Sequence, residues 1–449
     1  MGTGSDFDLS ESIGVVLTGV VLAGLVVAGL FSVALVAQPA DGEVGQSAFQ
    51  SSDSNVVQSN ESNVSADVDA RIDASGESPT KSIEPGDEIT VVATQGRFID
   101  GESPELVAFD AAGELVYYED EYDVYYDVDP VPGETYTVEY VGVEHLVGEE
   151  CPDFLSSDYY SDDQYASSVD WDTWERYVTA EKNDYEPVRG KDACTRDVVE
   201  RVNLSTGKVT SQYEVVIPDL FSGRTHDVDR VNETHLAVAD IFLDRVYVVD
   251  ARTDEIEWQW QVQDDFQPNA TGGPYTQDWT HVNDVEVLPD DRLMASLRNH
   301  DQVVFLDRTD SSESALLENW TLGEDNNYSI LNEQHNPDYI PEENGGPSVV
   351  VGDSHNNRPV EYQRTSNETW ERTWNWTDPR VEWPRDADRL PDGNTLVVDT
   401  RGGRVLEISP DGEVVWGVEI GVPYDAERLA TGDESTGGPA ANLTEANGP

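Results

Sequence analysis

Basic residues are scarce in this chain: 26 Lys and Arg stand against 91 Asp and Glu in 449 residues, a formal net charge of −65. With no basic stripe to displace counterions from phosphates, the chain is expected not to bind nucleic acid. An acidic surface this dense repels itself in dilute buffer, whereas at molar salt the screening length falls to roughly 3 Å and the repulsion largely disappears. The composition therefore reads as that of a protein from a strongly saline environment. Cysteine is nearly absent as well. Cys151 and Cys194 are the two that occur, and metal binding through two thiols alone has little support. In an extracellular domain they pair as a disulfide across a loop of about 43 residues, stabilising it by about 3–4 kcal/mol in the chain-entropy model; two separate free thiols are the alternative. Also missing are G-x-x-x-x-G-K-[ST], H-E-x-x-H and G-x-S-x-G, which leaves a nucleotide-dependent transferase and a zinc protease without support.

Charge is missing altogether from residues 13–37, an apolar run long enough at about 1.5 Å per residue to cross a bilayer. It reads as a single transmembrane helix or uncleaved signal anchor after a short tail at 1–12, because the preceding segment lacks a basic n-region. The first Lys or Arg is Arg71, so the positive-inside rule gives no orientation. Asn-x-Ser/Thr sequons from Asn60 to Asn442 favour an outward-facing C-terminal domain, at the cell membrane and extracellular. Residues 38–85, rich in Ser, Asp, Asn, Gly and Glu, are expected to form a disordered acidic stalk. The folded domain is expected over 86–430, with a disordered tail at 431–449.

Within that domain the same pattern is written four times: THDVDRV…HLAVAD…DRVYVVD…EIEWQW, HVNDVEVL…RLMASLR…QVVFLD…ENWTL, QHNPDYIP…SVVVGDS…RPVEYQ…WERTWNW and PRDADRLP…NTLVVDT…RVLEIS…EVVWGVE. The openings His226, His281, His335 and Asp386 recur at intervals of roughly 50 residues, and each unit holds four short β-branched and aromatic runs bounded by Asp, Gly, Asn or Pro, the pattern of a four-stranded propeller blade. After the fourth unit, VPYDAERLA is an inner strand with no sheet of its own. Its natural partner is the strand group near residues 88–118, which ties the ring shut without exposed edges. With a further blade from residues 135–215, the expected fold is an all-β six-bladed β-propeller.

Three histidines share the opening position, while His145, His235, His300 and His355 lie elsewhere. Asn283 follows His281 by two residues and is expected on the same strand face. Arg298 ends the adjacent strand. Two histidines, Arg298 and Asn283 converging in so acidic a protein suggest an anion site, since Arg offers a planar fork of donors to sulfate, phosphate or carboxylate; pairing of Arg298 with a carboxylate is the competing reading. A metal on three histidines is disfavoured by the guanidinium, and neither metal nor cofactor is expected. Asp386 and Asp388 either orient a histidine or cap turns.

Trp-x-His-x-Asn at 279–283, Ser-x-Arg-x-His at 296–300, and Gln334-His335 followed by GDSHNNRPVEY together resemble the arylsulfate sulfotransferases. The resemblance runs from Thr225 to Glu413 and suggests a haloarchaeal-type, membrane-anchored member. It implies a six-bladed propeller that moves a sulfuryl group from an aryl sulfate to a phenolic or other hydroxyl acceptor through a sulfated histidine, without a nucleotide donor. By position, His335 is then the nucleophile, and His281, Asn283, Arg298 and His226 hold the sulfate oxygens and handle protons. The stretch NPDYIPEENGGPSVVV after His335 departs from the family's Leu-Pro-x-Gly-Asn turn, which bears on substrate geometry. The rival class is a non-catalytic propeller whose channel mouth binds a glycan, an anion or a surface protein.

Overall fold

Asp, His, Tyr and Asn interrupt the apolar residues along the first strand of each repeat, as a strand needs when it lines a polar channel on one side and joins a packed sheet on the other. In the computed structural model, which describes residues 57–58, 79, 81–96, 103–180, 193–220, 223–268, 270–309, 314–431 and 437–441, these strands open six antiparallel sheets. The six-bladed all-β propeller read from the repeats is the fold that forms. Blade 1 joins the two ends of the domain: the inner strand Pro423–Arg428 pairs with Ile89–Thr94, then Leu106–Asp110 and Leu115–Glu119 follow outward. Val92 stands opposite Ala426 in this closure.

Blade 2 runs through Val124–Pro130, Thr137–Val147, Ala193–Asn203 and Lys208–Ile217. Its inner strand begins before residue 135, where the sequence reading started the blade. The reason is compositional: VYYDVDP turns its aspartates to the channel, so it lacks the apolar alternation of a strand half-buried in a core. Blade 3 begins at Val228–Asn232, blade 4 at Val282–Val287, blade 5 at His335–Ile340 and blade 6 at Pro384–Arg389. Neighbouring sheets bury branched apolar side chains between them. Val246 and Val248 of blade 3, for example, share a cluster with Val285, Ala295 and Val304 of blade 4, each fully buried Val being worth about 1.5–3 kcal/mol.

The inner strands turn a ring of polar side chains to the axis, Asp127, Asp227, Asp284, Asn336, Asp386 and Asp425, all buried. A second acid lies two residues further along each strand, from Asp129 in blade 2 to Glu427 in blade 1. Several first-ring carboxylates lace one blade to the next. Asp425 accepts the N–H of Val128 at 2.8 Å, Asp127 that of Val228 at 3.0 Å, and Asp227 that of Val285 at 2.9 Å.

Every inner strand starts at the same end of the channel, so the turn after His335 lies a full strand away from it, about 17 Å for five residues. The long turn through Glu342–Asn344 therefore does not shape the histidine end. The segment after Thr137–Val147 does reach that end. It forms helices Ser157–Asp162, Gln164–Ser167 and Trp171–Thr179, and Cys151 and Cys194 are disulfide-bonded across it, with Cα atoms 5.9 Å apart. Asp170 caps the last helix through the Thr173 N–H at 2.9 Å, and Trp174 and Tyr177 bury its inner face.

The expected transmembrane helix at 13–37 lies outside the described residues. Among the described residues no helix is long and apolar enough to cross a membrane. Most of 38–85 also lies outside them, although Val57–Gln58 pairs in parallel with Trp376 and Thr377 at the edge of blade 5. In the C-terminal tail, Ala440 and Ala441 are buried, and the Ala441 N–H donates to the Glu361 carboxylate at 3.1 Å.

Candidate active site

A β-bulge sits at the start of the inner strand in five blades, seen as register shifts at Tyr126/Val128, Val282/Asp284, His335/Asp338 and Pro384/Asp386, and opposite Asp425 in blade 1. A bulge breaks the two-residue alternation and re-aims side chains, so a ring acid and the residue before it both serve the channel. The residues immediately before the five ring acids and Asn336 are Tyr126, His226, Asn283, His335, Arg385 and Tyr424. This register corrects the sequence reading of the openings. Asn283, not His281, is the counterpart of His226 and His335; Arg385, not Asp386, holds that place in blade 6, and Tyr424 holds it in blade 1. Strict alternation, assumed from sequence, gave no reason to look one residue earlier.

His281 stands three residues before its ring residue, Asp284, with φ of 47°. Glu333, Trp383 and Val422 occupy the same place in blades 5, 6 and 1, with φ of 46°, 58° and 47°. None is glycine, and left-handed backbone at such residues costs of order 1–3 kcal/mol each. The strain brings a second tier of side chains over the channel mouth.

Distances among the rings define the site. His226 lies 5.4 Å from His281, 5.7 Å from Tyr424 and 4.1 Å from Tyr126, centroid to centroid. His335 lies 6.4 Å from Tyr424 and 6.3 Å from Trp383. The three histidines named from sequence therefore share one mouth, and all are buried.

Their hydrogen bonds fix which nitrogen carries the proton. Ser354 Oγ lies 2.8 Å from His335 Nδ1 and 2.8 Å from the carbonyl oxygen of Pro384. A carbonyl only accepts, so the single hydroxyl hydrogen goes to Pro384 and Oγ accepts from Nδ1–H. Nε2 of His335 is thereby left with its lone pair. His226 Nδ1 likewise donates to the carbonyl of Arg224 at 2.8 Å, leaving Nε2 as an acceptor. His281 Nδ1 faces the Asp278 carboxylate at 2.7 Å, an arrangement that orients the ring. Burial pushes His335 well below the usual imidazole range, and the positive charges of Arg385 and Arg298 push it further. His226 is pushed the same way, by burial first and then by His281 and Arg224.

The arginines differ sharply in their partners. Arg298 donates through Nη2 to Glu333 at 2.5 Å, so the competing reading of a carboxylate partner describes its geometry. Arg385 was not singled out from sequence. It is 7% exposed, donates through Nη1 to the neutral amide of Gln95 at 2.5 Å, and its Nε has no hydrogen-bond partner among the described residues. Its guanidinium carbon lies 4.9 Å from the ring centres of both Trp383 and Tyr424. Burial pushes its pKa down to about 10. Two other buried arginines, Arg245 and Arg389, are paired with the carboxylates of Asp240 and Glu361. Gly352 makes room for Arg385 beside blade 5, since a Cβ there would stand 2.6 Å from the Arg385 carbonyl oxygen.

Asn283 is fully buried and donates to the carbonyl of Gln334 at 3.1 Å, which ties blade 4 to the residue preceding His335. Asp386 and Asp388 face the acidic channel below, with Asp338. His300 packs between Trp279 and Phe266 at 5.5 and 5.2 Å, with burial lowering its pKa to about 4. It is a packing residue. His145 faces Asp123 at 3.9 Å, His235 pairs with Glu257 at 3.1 Å on the flank of blade 3, and His355 reaches Glu333 at 3.4 Å.

The loop carrying His281 is anchored by Asp244, another residue the sequence reading passed over. Its carboxylate accepts the Thr280 N–H at 2.9 Å, the Thr280 hydroxyl at 2.6 Å and the Tyr177 hydroxyl at 2.7 Å, so the disulfide-closed helical segment buttresses the site. Asp244→Ala is expected to destabilise the protein by about 2–4 kcal/mol, several charge-assisted bonds being lost at once. Denaturant unfolding in molar KCl measures it; a change within about 0.5 kcal/mol, the range of ordinary surface substitutions, contradicts the anchoring role.

Residues 86–366 match the family described as Arylsulfotransferase (ASST). No curated protein matches the chain. Solved structures with a similar course include a periplasmic gluconolactonase from Pseudomonas aeruginosa, 14% identical over 77% of this chain and 100% of that one, with a TM-score of 0.44. A putative 6-phosphogluconolactonase from Bacteroides uniformis is 11% identical over 76% and 99%, with a TM-score of 0.45. A catalytically inactive virginiamycin B lyase from Staphylococcus aureus is 6% identical over 76% and 87%, with a TM-score of 0.39.

Proposed function

We propose, from the premise that this chain belongs to the arylsulfotransferase (ASST) family, that it transfers a sulfuryl group from a phenolic sulfate ester to a phenol or other hydroxyl acceptor through a sulfated His335. The observation that carries the reading is Arg385, a buried guanidinium with neutral partners in a chain of net charge −65. A buried cation is costly unless a counter-charge reaches it, and a sulfate ester supplies one. Trp383, Tyr424 and Tyr126 beside it offer faces and edges to an aryl ring.

In the first half-reaction the Nε2 lone pair of His335 attacks sulfur, the bond from sulfur to the phenolic oxygen breaks, and the electron pair leaves on that oxygen. His281, held by Asp278, gives the departing phenolate its proton. The sulfated ring retains its Nδ1 proton on Ser354 Oγ. In the second half-reaction His281 takes the acceptor's hydroxyl proton, the acceptor oxygen attacks sulfur, and the S–N bond returns its electrons to Nε2. Sulfuryl transfer of this kind depends on alignment and on charge placed at the peripheral oxygens. Arg385 serves those oxygens. Arg298, paired with Glu333, adds positive potential that helps to keep His335 unprotonated, and Asn283 fixes the approach to His335 through Gln334. His226, with Nε2 as an acceptor, orients the incoming hydroxyl. No cofactor enters the scheme. Initial rates with a chromogenic aryl sulfate and a phenol in molar KCl test it: parallel double-reciprocal lines are expected, and intersecting lines from a ternary complex contradict it.

The same reading places the enzyme outside the cell, held at the membrane by residues 13–37. The Cys151–Cys194 disulfide suits an oxidising compartment, and the charge suits a saline one. Dialysis from molar KCl to about 0.1 M, where the screening length grows from roughly 3 to 10 Å, is expected to unfold the domain, as followed by circular dichroism. An unchanged melting temperature contradicts the saline assignment.

A further inference from the structure

Blade 5 breaks the lacing that joins the inner strands of blades 1 to 4. Val128, Val228 and Val285 each donate an N–H to the ring carboxylate of the preceding blade. The corresponding residue of blade 5 is Pro337, which has no N–H to give. Asp284 is therefore left with Oδ1 unpartnered while 3% exposed. In the next two blades, Asn336 Oδ1 and Asp386 Oδ2 are also buried without a hydrogen-bond partner among the described residues. Buried polar atoms of this kind point to a missing ligand. These three residues line one small cavity on the channel axis, with room for about one water-sized sphere. Its walls hold nine carboxylates and one amide, and no basic side chain. One carboxylate oxygen from each of Asp338, Asp386 and Asp388 lies within 4.8 Å of the other two, about twice the 2.3–2.6 Å at which calcium binds oxygen.

The geometry points to a structural calcium site on the channel axis between blades 4, 5 and 6, built by Asp338, Asp386 and Asp388 with Asp284 and Asn336. The donors are all oxygen, which selects a hard cation over zinc or copper. They are numerous and irregularly placed, which suits the six to eight flexible ligands of calcium better than the strict octahedron of magnesium. Asn336 and Asp386 directly follow His335 and Arg385 in sequence, so the ion holds together the strands that carry those two residues. The inference stands whether or not the reaction proposed above is correct.

Equilibrium dialysis of the full chain, stripped with a chelator and returned to calcium in about 2 M KCl to suppress surface binding, tests the site. One saturable equivalent of calcium per chain is expected, with a melting temperature that rises on adding calcium and not on adding the same concentration of magnesium. Asp386→Asn combined with Asp388→Asn is expected to lose that equivalent, and Asp411→Asn on an exposed turn to keep it. If the double variant does not fold, Asn336→Ala, which removes a neutral ligand without changing charge, is expected to weaken calcium binding by about tenfold. The site is overturned if the wild-type chain holds no saturable calcium, as when shared protons alone relieve the carboxylates. It is equally overturned if the variants bind calcium as the wild type does.

Discussion

His335→Ala is expected to abolish acceptor-dependent release of phenol from an aryl sulfate, lowering kcat/KM by about 10⁴-fold or more, as loss of a covalent nucleophile does. The substitution should leave the fold in place, because the imidazole contributes one hydrogen bond, to Ser354. Ser354→Ala should act more mildly on the same step. It releases the Nδ1 proton from its acceptor and lets the wrong tautomer compete, so the rate falls while the nucleophile survives. If His335→Ala retains the wild-type rate, the attacking atom lies elsewhere.

Arg385→Gln is expected to lower kcat/KM by about 10²–10³-fold, or about 2.7–4 kcal/mol, the effect of removing one preorganised donor from a developing charge. Its effect on stability separates function from structure. A buried guanidinium paired with a carboxylate supports the fold, and removing it strands the partner, as Arg389→Gln would strand Glu361. Among the described residues Arg385 has no carboxylate to strand; its side-chain hydrogen bond is to the Gln95 amide. Arg385→Gln should therefore keep or raise the melting temperature while activity collapses, and Arg389→Gln should do the reverse. Loss of stability at Arg385 with activity unchanged would make it a packing residue.

Much of this fold was legible because a propeller repeats its own instructions. The unpaired inner strand at VPYDAERLA announced the ring closure with Ile89–Thr94, since an inner strand with no sheet has nowhere else to go. The inner strand of blade 2 was not legible, because channel-facing aspartates hide the apolar alternation that marks a strand. The site was half legible. His226, His281 and His335 stood out as rare residues at repeated places, but Arg385 and Tyr424 sit one residue before conspicuous aspartates and come to the mouth through bulges that sequence alternation does not foresee. Ser354 was visible inside GDSHNNRPVEY, yet its part in setting the His335 tautomer appears only when Pro384 of the next blade is seen to take its hydrogen. The Arg298–Glu333 pair joins residues 35 apart in sequence, and no local pattern marks which of many acids an arginine will meet.

The central claim is that Nε2 of His335 carries the sulfuryl group between donor and acceptor. Incubating the protein with an aryl sulfate alone, quenching at mildly alkaline pH and mapping peptides by mass spectrometry tests it most directly. The peptide containing His335 should gain the mass of one SO₃, lose it on addition of a phenol, and never gain it in His335→Ala. Rapid turnover with no adduct, or an adduct on Tyr424, Ser354 or His226, would contradict the account.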